Sequence, residues 1–101
     1  MKEDKFYIQK LYELLKLNNI DIEVLKNNNV YLLGGSILRL FMGLPLDTDL
    51  DFYFVDNKSF KNVDDYFKNN FTFLSESPLT KSYNSQRGKI VQLAKNKKFM
   101  G

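Results

Sequence analysis

The chain predicts a mixed α/β (α+β) domain built on one sheet, and three features carry that prediction. Residues 5–17 repeat apolar side chains at helical spacing. Residues 49–55 alternate with the two-residue period of a strand. The two periods then keep exchanging places along the sequence. A length of 101 residues gives room for a single compact domain, and no repeat, linker or low-complexity segment divides it.

In residues 5–17, Phe6, Ile8, Leu11, Tyr12, Leu14 and Leu15 form an apolar stripe, with Glu3, Lys5, Lys10, Glu13 and Lys16 mostly elsewhere. Asn18 and Asn19 suit its end. Residues 21–26 predict a second, short helix stopped by Asn27, Asn28 and Asn29. Residues 30–33 are short, apolar and followed by glycine, the pattern of a buried strand. Residues 36–42 predict a short helix, with Ser36 as its N-cap and Gly43 as its left-handed C-cap; Pro45 prevents continuation.

Residues 49–55 predict a second strand, with Leu50, Phe52 and Phe54 on one face and Asp49, Asp51 and Tyr53 on the other. Residues 59–69 predict a helix that turns Phe60, Val63, Tyr66 and Phe67 inward and leaves Asp64 and Asp65 on a solvated face. Residues 71–74 predict a further strand, and Ser77 with Pro78 a turn. Ser82, Tyr83, Ser85 and Gln86 read as a polar loop, residues 89–93 as the last strand, and KNKKFMG as a tail.

Composition narrows the chemistry. The chain has no cysteine, which removes disulfides and thiolate metal sites, and no histidine, which removes the usual zinc ligand and the commonest general base. A metal here is expected to be a hard cation held by oxygen, magnesium or manganese. No apolar run reaches membrane-spanning length and MKEDKFYIQK is too polar for a signal peptide, so the expectation is a cytoplasmic protein with no membrane partner. The net charge is +3, but its distribution is uneven. No acidic residue follows Glu76, whereas Lys81, Arg87, Lys89, Lys95, Lys97 and Lys98 do. That segment fits either a solvated basic face or a surface for phosphate or nucleic acid.

The aspartates carry the sharpest chemical signal. Asp49 and Asp51 share a strand face, roughly 7 Å apart along the backbone. Carboxylates that close raise each other's pKa, and a divalent cation between them removes the penalty. Asp47 has the same parity but stands closer to Pro45, in the loop. Alone, the pair fits a solvated strand face or a charged edge strand better than a metal site. Gly34, Gly35 and Ser36 join a buried strand to a helix. Glycine allows a ligand close approach, and the helix start offers free N–H groups and a positive dipole end, so the corner can hold a triphosphate. It also fits an ordinary capped turn. Joined to a carboxylate pair one helix later, it reads as half of a nucleotide–metal site.

The succession GGSILRLFMG then DTDLDFYF resembles the nucleotidyltransferase fold of the DNA polymerase beta superfamily. It is most similar to the head domains of tRNA CCA-adding enzymes and bacterial poly(A) polymerases, and to small phage-encoded relatives. The resemblance covers residues 30–55 and extends loosely to GKIVQLAKNKK. It implies a minimal mixed sheet flanked by helices, with Gly34, Gly35 and Ser36 on the nucleotide's phosphates. Asp49 and Asp51 would be both catalytic and metal-binding, holding Mg2+ or Mn2+. The reaction implied is transfer of a nucleotide from a nucleoside triphosphate to a hydroxyl of RNA or protein.

Three departures accompany the resemblance. Leu38 stands where an arginine is usual, with Arg39 one place later as the nucleotide-binding candidate. Residues 89–93 offer no third carboxylate. No accessory domain for a primer is present in the chain. Three accounts therefore stand: a minimal transferase; an inactive binding module, such as a phage or mobile-element counter-defence inhibitor of a host nucleic-acid machine; or a piece of a longer enzyme. Tyr53, Tyr66, Phe67, Phe71 and Phe73 could stack on bases, but in so small a domain they read first as core.

Overall fold

The structure, a computed structural model, describes residues 2–33, 42, 49–54 and 56–94. It is a mixed α+β fold. Among the described residues, three helices, α1 (Lys2–Leu17), α2 (Ile22–Lys26) and α3 (Asn57–Asn70), accompany five strands: β1 (Tyr31–Leu33), β2 (Leu50–Tyr53), β3 (Thr72–Glu76), β4 (Thr80–Asn84) and β5 (Ile90–Ala94). The helix expected over residues 36–42 lies outside the described residues except for Met42, which is exposed.

Each helix ends where its capping chemistry requires. At the end of α1, Asn19 takes a left-handed φ of 57°. Its N–H donates to Lys16 O at 3.0 Å and that of Ile20 to Leu15 O at 2.9 Å, closing the last turn as a Schellman motif that buries Ile20. Asp21 caps α2 by accepting from the Glu23 N–H at 3.0 Å, and Asn29, at φ 49°, turns the chain into β1. Asp56 caps α3 by accepting from the Ser59 N–H at 2.7 Å.

The strands form one sheet in the order β1-β2-β5-β4-β3. Among the described strands the β2–β5 pair is parallel, and β1–β2, β5–β4 and β4–β3 are antiparallel. β4 corrects the expected polar loop over residues 82–86. Its alternation is carried by Thr80, Ser82 and Asn84 against Lys81 and Tyr83, so a single apolar side chain marks the buried side, and Tyr83 is almost fully buried. β3 forms one edge. All five of its residues are exposed and its register shifts between Phe73 and Ser75, a bulge that disfavours edge-to-edge pairing.

One face of the sheet carries the core. Leu50, Phe52, Phe54, Tyr83, Val91 and Leu93 pack against Leu14 and Leu15 of α1, Leu25 of α2, and Val63 and Phe67 of α3. Each such side chain contributes about 1.5–3 kcal/mol through burial. The Phe67 ring lies 5.7 Å from that of Tyr83 and 6.4 Å from that of Phe52, joining α3 to the middle of the sheet. Tyr66 fastens the helices together: its hydroxyl accepts from the Asp21 N–H at 2.8 Å and donates to Asn19 O at 3.2 Å.

Asp64 also departs from expectation. It is buried and accepts from the Tyr83 hydroxyl and, at 2.8 Å, from Lys81 Nζ. It falls on the stripe of Phe60, Val63 and Phe67, so it faces the sheet, where two donors from β4 meet its carboxylate. Asp65, one position on, is exposed as expected.

Candidate functional site

With the described helices packed on the Phe52 face, strand alternation sends Asp51 and Tyr53 to the other side. The registers name their neighbours. Asp51 is paired with Leu33 of β1 on one flank and with Gln92 of β5 on the other, and Gln92 is paired in turn with Ser82 of β4. A row therefore crosses the sheet from Leu33 through Asp51 and Gln92 to Ser82. Asp51 and Gln92 are half-buried and Ser82 is buried.

Asp49 stands just before β2 and is exposed. Its Oδ1 accepts from the Ile90 N–H at 3.3 Å, which ties the start of β2 to the start of β5. Burial pushes the Asp51 carboxyl above its ordinary range, and the nearby Asp49 charge pushes it the same way. The two acids thus feel each other, and one of them has lost part of its water.

Two carboxylates this near each other, one of them partly desolvated, are oxygen donors of the kind that could take part in holding a hard cation. Among the described residues no group of three His, Cys, Asp or Glu side chains could hold a metal ion. Beside Asp51 the parallel register supplies the neutral amide of Gln92, an oxygen ligand without charge.

Asp51 lies on the face of β2 away from the described core, and Asp49, just before the strand, is exposed with its carboxylate tied to the start of β5. Gly34, Gly35, Ser36 and Arg39 lie outside the described residues. β1 runs to Leu33, the register partner of Asp51, so the strand that precedes the glycines ends in the row of the acid. Gln92 and Ser82 were not legible as site neighbours. The signal for them lies in the pairing of strands some 40 residues apart and not in any local motif.

The expected aromatic core is found in Phe67, which is fully buried, and in Tyr66 and Phe71, which pack against the core. Phe73 is half exposed at the sheet edge. Lys81, counted with the basic C-terminal segment, is occupied by Asp64. No helix among the described residues is long and apolar enough to cross a membrane. No family model, curated protein or solved structure matches this chain.

Proposed function

We propose that this chain is a minimal, degenerate nucleotidyltransferase-like domain that binds a nucleoside triphosphate together with Mg2+ or Mn2+. Asp49 and Asp51 would hold the cation, and Gly34, Gly35, Ser36 and Arg39 would contact the nucleotide. A cation bound there would supply charge neutralisation and orientation of the triphosphate. The observation that carries this proposal is the row Leu33–Asp51–Gln92: a desolvated carboxylate beside Asp49, on the sheet face away from the core, at the end of the strand that leads into Gly34 and Gly35.

Gln92 favours binding over efficient turnover. A third carboxylate would strengthen the hold on an ion that activates a hydroxyl; an amide adds an oxygen but no charge. An active protein would transfer a nucleotide to an RNA or protein hydroxyl. An inactive one would serve as a binding module in the cytoplasm, of the kind a phage uses as a counter-defence inhibitor of a host nucleic-acid machine. Calorimetric titration of the four nucleoside triphosphates with and without Mg2+, beside incorporation of labelled nucleotide, separates the two. Metal-dependent binding without incorporation is expected, and Asp49→Ala with Asp51→Ala should abolish it. Absence of binding to all four, with either metal, would remove the proposal.

A further inference from the structure

We propose that the apolar pocket between α1, α2 and the β1–β2 end of the sheet is a binding site for a small amphiphilic anion, a short acyl carboxylate. The pocket has a volume of about 310 Å³, at the lower end of the ~300–1,000 Å³ typical of ligand sites. Its walls include Leu15, Leu25 and Phe52, all members of the buried core, so the floor of this partly open cleft reaches the main apolar layer. A domain interior is ordinarily close-packed, and an apolar cleft of this kind is poorly suited to water, which needs polar partners.

Polarity at the pocket is confined to few groups. Among the described lining residues, Lys26 alone is charged. Its Nζ sits 5.5 Å from the centre of the Tyr12 ring, which also lines the pocket, and this contact holds the ammonium beside the cleft. An apolar chain within the cleft and an anionic end at Lys26 satisfy both features together. A nucleoside triphosphate does not fit so apolar a lining. The pocket takes Leu32 and Phe52 from the core face and Tyr31 from the edge strand, and none of the residues proposed to hold the nucleotide or its cation is among its described lining, so this inference is independent of the nucleotide proposal.

The test is a methyl-detected NMR titration of the full chain with octanoate, and with 1-octanol and octylammonium as charge controls. Octanoate should produce saturable shifts in the methyl groups of Leu11, Leu15 and Leu25. Octanol should bind about threefold to fivefold more weakly, the size of an exposed ion-pair contribution. Lys26→Glu, a change at an exposed position, should reverse the order and favour octylammonium. Lack of saturable shifts overturns the site. Equal affinity for octanoate and octylammonium overturns the anionic ligand class. Shifts of the same methyl groups on dilution of the protein alone would mean that a second copy occupies the cleft, and would overturn the proposal.

Discussion

Replacement of Asp64 by alanine probes the buried carboxylate that, among the described residues, joins α3 to the sheet. In the parent, the carboxylate accepts from the Tyr83 hydroxyl and from Lys81 Nζ, with Tyr83 1% exposed and the Lys81 side chain 21% exposed. Alanine leaves the Tyr83 hydroxyl buried without its acceptor, a penalty of about 1–3 kcal/mol. Loss of the ion pair adds less, because the Lys81 ammonium can turn to water; an exposed pair is worth about 0.2–1 kcal/mol. The total expected is about 3 kcal/mol, a large share of the ~5–15 kcal/mol typical of a domain. Tyr83→Phe should cost about 1–2 kcal/mol, since Asp64 keeps Lys81 as a partner. Lys81→Met should cost less than about 1 kcal/mol. Asp64→Ala combined with Tyr83→Phe removes both partners and should fall short of the sum by about 1 kcal/mol. Urea unfolding followed by far-UV circular dichroism measures all four, as the chain has no tryptophan to report by fluorescence. An Asp64→Ala stability within about 0.5 kcal/mol of the parent, or strict additivity in the double variant, would refute the coupling.

The same cluster predicts a loss of stability at alkaline pH. Burial and then the hydrogen bond to Asp64 push the Tyr83 hydroxyl well above its ordinary 10.0, and the bond to Asp64 pushes Lys81 above 10.5. Both groups keep their protons in the fold at pH values where the unfolded chain loses them. Their contribution is therefore complete below pH 10 and lost as pH rises beyond it. Thermal melts from pH 8 to 11 should show that fall, and Tyr83→Phe should flatten it. Gln92→Asp places a third carboxylate in register with Asp51. It should lower stability without divalent cations and give a larger Mg2+-dependent rise in Tm than the parent shows; an equal rise would remove Gln92 from the site. Asp56→Ala deletes the cap of α3 and should cost about 1 kcal/mol in urea unfolding, with Asp56→Ser retaining most of the stability.

Much of the fold was legible because its signals are local. The stripe of Leu11, Leu14 and Leu15, the alternation of Leu50, Phe52 and Phe54 against Asp51 and Tyr53, and the asparagines that end α1 and α2 each act within a few residues. Asp64 was misread because charge was taken to outrank position. It stands four residues after Phe60 and three before Phe67, on the inward stripe, and Lys81 and Tyr83 supply the donors that make burial tolerable. β4 was missed because its side chains are mostly polar: one sheet neighbour of Ser82 is Gln92 and not an apolar layer. For the candidate site, strand parity put Asp51 on the face opposite Phe52. Parity within a strand says nothing of which strand lies alongside, so Gln92 could not be assigned to Asp51 without the parallel β2–β5 register.

Paramagnetic broadening by Mn2+ tests the central claim most directly, since it reports where a hard cation sits whether or not any chemistry follows. With a nucleoside triphosphate present, substoichiometric Mn2+ should broaden the amide resonances of Leu33, Asp51 and Gln92 first, and Asp49→Ala with Asp51→Ala should abolish the effect. Broadening spread evenly over exposed acids such as Glu13 and Asp65, or centred away from β2 and β5, would contradict the account.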